Sequence, residues 1–282
     1  RSVSRGLGDV YKRQDIMLRD ITLGQYYPVD SVLHRMDPRT KLFGTMVFII
    51  SLFVADSIWA YLVATLFLAM AIRLSHVPFK FMVRGLKAII FLLLISVSFN
   101  LFLTPGEVVF KLWFLRVTKE GLMTAGFMGV RLIYLVVGSS VMTLTTTPNE
   151  LTDGLEKSLG FLKKIGLPVH EVSMMMSIAL RFIPILVEET DKIMKAQMAR
   201  GADFESGNII QRAKNMIPLL VPLFISAFRR ATDLAMAMEA RCYRGGEGRT
   251  KMKPLHYAKR DGVTYLVYVF YLAVIVVLRI LI

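Results

Sequence analysis

Two arginines stand at the ends of two long segments with helical character, each behind the same pattern of small residues. Arg200 closes the sequence Ala-Gln-Met-Ala-Arg in front of Gly201, and Arg241 closes Ala-Met-Glu-Ala-Arg in front of Cys242. The alanines leave each guanidinium free to reach outward and to donate a fork of hydrogen bonds to a carboxylate on another protein. The helix dipole also favours a C-terminal cation, by about 0.3–1 kcal/mol. The dipole would explain one such ending, but two alike endings indicate a binding role.

Other side chains that could carry chemistry form no recognisable catalytic or metal-binding motif. The sequence contains no Gly-x-x-x-x-Gly-Lys-Ser/Thr loop for nucleotide phosphates, and His170-Glu171 lacks a second histidine at the zinc-protease spacing. The single cysteine, Cys242, excludes an intramolecular disulfide. The run from Met174 to Met176 could bind a soft metal, but we favour adaptable packing against a changing partner. We therefore expect no catalytic residue, metal site or cofactor in this chain.

The composition is that of a membrane protein. Of the 282 residues, 55% are hydrophobic, and the mean hydropathy of +0.54 is too high for an ordinary soluble protein. The net charge of +14 would suggest nucleic acid in a soluble chain. In a membrane protein it indicates basic cytoplasmic loops that face anionic lipid and acidic partners, so we expect no nucleic-acid partner.

Apolar segments predict an all-α polytopic protein with about five transmembrane helices. The two short segments at the start could also form a re-entrant hairpin. Arg131 interrupts the fourth segment, and we expect it to be paired within the bundle or to snorkel. The basic stretch from Arg73 to Lys87 is typical of a cytoplasmic loop. The predicted spans are 42–57, 58–72, 86–103, 121–146 and 263–282.

Between the fourth and fifth spans, residues 147–262 are predicted to form a cytoplasmic block of long amphipathic helices. The block opens with Thr147-Pro148-Asn149-Glu150, a capping box with proline at the first helical position. One long helix is predicted from Val169 to Arg200 and another from Asn208 to Arg241, and each would extend about 50 Å. Charged residues interrupt both, so we do not expect their apolar parts to cross the membrane. Prolines should bend these helices: Pro184 in the first, Pro218 and Pro222 in the second.

The remaining parts of the chain complete the predicted domain organisation. Residues 1–16 have no useful periodicity, and we expect a non-native or disordered leader, with Met17 as the natural start. Residues 17–41 would form a cytoplasmic N-terminal segment, residues 42–146 the first four transmembrane helices, and residues 263–282 the last one.

These patterns resemble the transmembrane T component of energy-coupling factor (ECF) transporters, the CbiQ-like or EcfT family. The longest matching stretch is Ala-Leu-Arg-Phe-Ile-Pro, ending at Pro184, followed by Ala-Gln-Met-Ala-Arg-Gly, ending at Gly201. His34–Lys41 and Thr147–Leu151 also resemble the family, and the resemblance covers Met17 to Ile282. One residue departs from the pattern, because the family's second arginine is usually followed by glycine and here Cys242 follows.

The resemblance implies a subunit of a bacterial plasma-membrane importer that is not itself an enzyme. Two ATP-binding-cassette ATPase subunits would bind ATP and magnesium, and a separate membrane S component would bind a vitamin or transition-metal ion. The T component, in the lipid bilayer, would transmit ATP-driven motion between them. Implied ATPase contacts are Ala199, Arg200, Gly201, Ala240, Arg241 and Cys242. The implied S-component and packing surface is Met174, Met175, Met176, Arg181 and Pro184.

The alternative is a self-contained polytopic enzyme or secondary transporter. Such a protein would need a cluster of polar or acidic residues facing a cavity within the membrane. Only Arg131 and a few serine, threonine and asparagine residues qualify.

Overall fold

A computed structural model describes residues 26–105, 107–112, 115–202, 204, 208–246, 252 and 254–281. The predicted leader at residues 1–16 and the predicted start at Met17 lie outside these ranges. Within them the helices are α1 (Pro38–Val54), α2 (Ile58–Ser75), α3 (Phe79–Leu103), α4 (Lys119–Thr145), α5 (Pro148–Ser158), α6 (Val169–Ala199), α7 (Ile209–Asn215), α8 (Ile217–Ala240) and α9 (Lys259–Leu281). A 3-10 helix, Leu159–Ile165, follows α5.

The predicted all-α class is confirmed, with one short exception. Strands β1 (Val108–Leu112) and β2 (Leu115–Thr118) form an antiparallel hairpin. In its register, the backbone of Lys111 lies opposite that of Arg116. The hairpin lies between α3 and α4. Trp113 and Phe114 fall outside the described residues.

Four of the described helices, or five if a bent pair is counted as one span, are long and apolar enough to cross a membrane. This confirms a polytopic protein. Helices α2, α4, α6 and α9 qualify singly, and α3 is a further candidate whose two parts meet at a bend of 64°. The predicted loop from Arg73 to Lys87 is wrong in part, because α3 is already helical from Phe79. With 17 residues, α1 is shorter than a usual span of about 20, although the sequence predicts a span there. Length and apolarity alone do not separate α6 from the spans.

The described chain divides into two compact units. The first, here called the bundle unit, comprises Gly24–Ser158 and Lys253–Ile282 and contains α1 to α5, the hairpin and α9. Its core includes Leu52, Ala64 and Ile275, which are almost fully buried. The second, here called the hairpin unit, comprises Leu159–Met252 and contains α6, α7 and α8.

A polar network fixes the first turn of α1 in the bundle unit. Asp37 caps the helix by accepting from the Arg39 backbone N–H at 2.9 Å, and both carboxylate oxygens pair with the Arg39 guanidinium at 3.0 Å. The Asp37 backbone N–H donates to Asp261 Oδ1 at 3.0 Å, which attaches α1 to the start of α9. Lys41 Nζ donates to the Thr145 carbonyl at 2.8 Å, at the end of α4. The segment that resembles the family near the start of the chain therefore joins three helices.

Arg131 is paired within the bundle unit, as the sequence predicts. Its Nε donates to the Tyr61 hydroxyl at 3.1 Å, and its Nη2 donates to the Ala55 carbonyl at 3.2 Å. Asp56 Oδ1 lies 3.7 Å from Arg131 Nη2, and Asp56 Oδ2 lies 3.6 Å from Arg279 Nη2 of α9. Arg131 thus holds α4 against the turn between α1 and α2.

In the hairpin unit, the first predicted long helix is confirmed and the second is wrong. Helix α6 runs from Val169 to Ala199, within one residue of the prediction. The predicted helix from Asn208 to Arg241 is two helices, α7 and α8, with a break at Met216. Proline lacks a backbone donor and its ring clashes with the carbonyl four residues earlier. Pro218 is therefore accommodated in the first turn of a new helix, and the old one ends before it.

Candidate functional site

Arg200 caps the C-terminus of α6, immediately before a tight left-handed turn. The Gly201 N–H donates to the Met198 carbonyl at 2.9 Å, and the Ala202 N–H donates to the Gln197 carbonyl at 3.0 Å. Gly201 has a φ of +90°, which glycine adopts without steric cost. These two bonds and this conformation define a Schellman ending, in which the final carbonyls of the helix are satisfied. The turn fixes the point from which the Arg200 side chain leaves the helix.

Arg241 ends α8 with the same backbone geometry. The Cys242 N–H donates to the Glu239 carbonyl at 2.8 Å, and the Tyr243 N–H donates to the Met238 carbonyl at 3.0 Å. Cys242 has a φ of +55° and occupies the left-handed position despite carrying a side chain. The departure from glycine that the sequence presents at this position therefore leaves the turn intact.

All six residues predicted to contact ATPase subunits lie at these two endings, and all six are exposed. Arg200 and Arg241 make no ion pair with any residue in the described ranges. Ala199 and Ala240 beside them are also exposed. Each ending thus presents an uncompensated guanidinium on a rigid, small-residue surface.

Helices α6 and α8 pack side by side in opposite directions. Gln197 near the end of α6 donates from Nε2 to the Pro218 carbonyl near the start of α8, at 3.3 Å. At the other end, Met174 and Arg241 line the same cavity. Arg200 follows Met174 by roughly 26 residues, or about 39 Å along the helix. The antiparallel packing therefore separates the two arginines to opposite ends of the helix pair.

The cavity beside Arg241 has a volume of about 330 Å³ and is formed by the end of α8 and the first turns of α6. Met174, Met238 and Cys242 contribute to its wall, together with Arg244. The chain beyond α8 also contacts the start of α6, since a Cβ at Gly246 would lie 2.2 Å from Cδ2 of His170. Glycine at that position permits this close approach.

The residues predicted for the S-component surface are not gathered on one face of α6. Met174 is half-buried beside α8, whereas Met175 and Met176 are 58% and 44% exposed. Arg181 and Pro184 are exposed further along the helix. Successive helical residues are rotated by about 100°, so Met175 and Met174 point to different sides. The two exposed methionines are those available to a partner.

A cluster that no sequence pattern indicates links the middle of the two helices. Glu189 of α6 accepts hydrogen bonds from Ser226 Oγ and from Arg230 Nη2, the latter at 2.7 Å. The side chains of Arg230 and Glu189 are 39% and 23% exposed. These partners are separated by 37 and 41 residues in the chain, so no local spacing could have indicated them.

Comparison with known families assigns the chain. A family model described as "CbiQ: Cobalt transport protein" matches residues 30–252, which include both arginine endings and helices α1 to α8.

The chain belongs to the CbiQ family.

Relatives of this CbiQ-family chain carry the description energy-coupling factor transporter transmembrane protein EcfT. The protein from Clostridium kluyveri is 55% identical over 252 residues, covering 89% of this chain and 93% of its own. That from Thermosediminibacter oceani is 54% identical over 244 residues, covering 86% and 92%. That from Bacillus subtilis is 49% identical over 246 residues, covering 87% and 93%. The resemblance to the T component is therefore confirmed.

These findings also establish where the CbiQ-family chain resides. Its relatives are bacterial transmembrane proteins, and four to five of the described helices are long and apolar enough to span a bilayer. The chain is a multi-pass protein of the bacterial plasma membrane.

Proposed function

We propose that the chain is the coupling subunit of an ECF-type importer. It would transmit the ATP-driven motion of two ATP-binding-cassette subunits to a membrane S component that binds a vitamin or a transition-metal ion. ATP and magnesium would be held by the partner subunits, and this chain would supply no catalytic residue. The observation that carries the proposal is the repeated ending: two exposed arginines on identical turns, at opposite ends of one helix pair.

The distance between the arginines favours two separate contacts. Their separation of about 39 Å along α6 exceeds the roughly 30 Å diameter of a small domain. One domain could not reach both guanidinium groups through the same surface, whereas two neighbouring ATPase subunits could each reach one. We therefore assign Ala199-Arg200-Gly201 to one subunit and Ala240-Arg241-Cys242 to the other.

The chemistry of each ending suits docking. A guanidinium presents donors in a planar fork that matches a carboxylate. Arg200 and Arg241 have no ion-pair partner in the described part of the chain, so binding would not first have to break an internal pair. The Schellman turns hold the backbone, which limits the conformational entropy that docking would cost.

The helix pair can carry a displacement from one end to the other. The bonds of Glu189 with Ser226 and Arg230 join α6 to α8 near the middle, and Gln197 joins them near one end. Met175 and Met176 offer adaptable apolar contacts to an S component. Coupling further requires that these contacts differ between two conformations, because equal contacts would shift no equilibrium.

We place the helix pair, and with it residues 147–262, on the cytoplasmic side. Helix α6 is apolar in its first half, but five charged residues follow Val187 within two turns and a half. Charges at the centre of a bilayer are costly, whereas an amphipathic helix accommodates them at a surface. The five residues are Glu188, Glu189, Asp191, Lys192 and Lys195.

The test is retrieval of the ATPase subunits and substrate uptake in cells for Arg200→Ala, Arg241→Ala, the double variant and the two Arg→Lys variants. Losing a desolvated arginine leaves its carboxylate unpaired and costs about 2–5 kcal/mol at an interface. We expect each Ala variant to weaken ATPase retrieval, the double variant to abolish uptake, and lysine to restore function only in part.

Arg229→Ala is the matched control, because Arg229 is an exposed arginine on α8 away from both endings. It should retain ATPase binding and uptake. Normal uptake by the double Ala variant at normal expression would contradict the proposal and reduce both arginines to helix-end cations.

A further inference from the structure

A groove runs along the bundle unit between α2 and α9, and we call it the α2–α9 groove. Its volume is about 350 Å³. The segment before α1 also contributes to the wall, through residues that include Leu33 and Met36. The full lining is Val32, Leu33, Met36, Phe67, Met70, Ala71, Leu74, Arg260, Val263, Thr264, Val267 and Tyr268. The groove therefore lies between two helices that are each long and apolar enough to cross the membrane.

The walls of the α2–α9 groove are almost entirely apolar, and several of them are uncovered. Met70 on α2 is 54% exposed and Val263 on α9 is 61% exposed. Because helices α2 and α9 are each long and apolar enough to span a bilayer, such side chains would meet hydrocarbon there. The groove is thus a recess that opens to the region of the lipid tails.

One cation stands at the end of this apolar recess. Arg260 lies in the first turn of α9, is exposed, and has no ion-pair partner among the described residues. The neighbouring Asp261 does not compensate it, because both Asp261 oxygens are taken by the backbone N–H groups of Asp37 and Ala258 and the residue is 1% exposed. The groove lining contains no acidic residue. The charge of Arg260 is therefore available to an anion that enters together with an apolar group.

We propose that the α2–α9 groove binds one acyl chain of an anionic phospholipid, with the lipid phosphate on the Arg260 guanidinium. Arg260 and Val267 are about 10 Å apart along α9, so the groove descends from the headgroup level into the hydrocarbon region. Guanidinium groups bind phosphate oxygens through parallel hydrogen bonds. The apolar wall and the single cation match the two parts of one lipid.

The charge at the end of the groove favours a phospholipid over an apolar helix of another membrane protein. Such a helix would cover Met70 and Val263 but would leave the Arg260 guanidinium without a partner. One anionic phospholipid supplies both an apolar chain and a phosphate.

The experiment adds phosphatidylglycerol or phosphatidylcholine to the full chain purified in detergent, and counts retained lipids by native mass spectrometry. We expect one retained phosphatidylglycerol, bound more tightly than phosphatidylcholine and not displaced by millimolar inorganic phosphate. Arg260→Ala should weaken phosphatidylglycerol binding about fivefold, the factor that one basic residue contributes at an anionic membrane surface. Lys259→Ala is its control, because Lys259 is an adjacent exposed cation outside the lining.

A second pair of variants tests the recess itself. Val267→Trp should fill the α2–α9 groove and remove the retained lipid, whereas Val269→Trp changes a 64% exposed residue of the same helix outside the lining and should have no effect. Equal retention by Arg260→Ala and the unaltered chain would overturn the proposal. Equal lipid retention by the two tryptophan variants would also overturn it, and so would equal binding of phosphatidylglycerol and phosphatidylcholine.

Discussion

Cys242 occupies, at the end of α8, the position that Gly201 occupies at the end of α6. Both residues have positive φ, +55° and +90°, and both donate the inner hydrogen bond of a Schellman turn. A side chain in the left-handed conformation costs about 1–2 kcal/mol relative to glycine. The second ending therefore keeps its geometry against a local steric cost.

This cost predicts that Cys242→Gly stabilises the protein. We expect an increase of about 0.5–1 kcal/mol in the free energy of unfolding, because the greater freedom of glycine in the unfolded chain offsets part of the relief. Thermal unfolding in detergent measures it, and Gly201→Cys is the reverse control that should lower stability. A loss of stability on Cys242→Gly would mean that the thiol contributes packing within its cavity.

The contact between Glu189 and Arg230 predicts a measurable but small coupling between α6 and α8. Because both side chains are partly exposed, the pair should contribute about 0.5 kcal/mol in a double-mutant cycle of Glu189→Gln and Arg230→Ala. Losing the pair should affect substrate uptake more than it affects stability, because the pair joins the two helices near their middle. We expect the exchange Glu189→Arg with Arg230→Glu to recover uptake that either single change lowers. Uptake that stays normal in both single variants would exclude this pair from coupling.

Replacing Lys41 should lower stability more than breaking the pair of Glu189 and Arg230. It is 5% exposed, and its Nζ donates to the carbonyls of Thr145 and His34. Lys41→Met would leave these acceptors without their donor, so we expect a loss of about 1–3 kcal/mol, measured by thermal unfolding. Arg35→Ala is the control, because Arg35 forms an exposed pair with Asp30 and should change the melting temperature little. Equal effects of the two changes would mean that the buried bonds do not hold α1 to α4.

The proposed cytoplasmic location of residues 147–262 predicts a labelling pattern. Single cysteines at Ser158, Lys195 and Met252, in a Cys242→Ser background, should react with a membrane-impermeant thiol reagent only after the cells are permeabilised. A cysteine at Glu107, between α3 and β1, should react in intact cells and is the positive control. Reaction of Lys195→Cys from outside would mean that α6 crosses the membrane and would contradict this location.

Local signals in the sequence were sufficient for several helix boundaries. The capping box is present, since Glu150 accepts from the Thr147 N–H at 3.1 Å and Thr147 Oγ1 accepts from the Glu150 N–H at 3.3 Å. Asp37 caps α1 with Pro38 in the first helical position, and Gly201 follows the end of α6. Each of these features depends on residues within one turn of each other, so the local sequence is sufficient to predict where the helix begins or ends.

Features that depend on distant or competing contacts were not predictable in the same way. The sequence predicts that Pro218 bends a helix, but whether a proline bends or ends a helix depends on the packing of the flanking turns. Here the preceding helix ends and a new one begins at Ile217. The partners of Glu189 and Asp37 come from other helices. The antiparallel packing that separates Arg200 from Arg241 is likewise a tertiary property, so the sequence indicated the two site residues without their arrangement.

Antiparallel packing of α6 and α8 has a consequence for the form of the partner. Two helices with the same C-terminal turn, running in opposite directions, are related by an approximate two-fold axis perpendicular to the pair, and this axis passes close to Glu189 and Arg230. A rotation about it exchanges Gly201 with Cys242 and Arg200 with Arg241. A dimer with its own two-fold axis can therefore meet the same surface twice on a single chain, whether its two subunits are identical or only related.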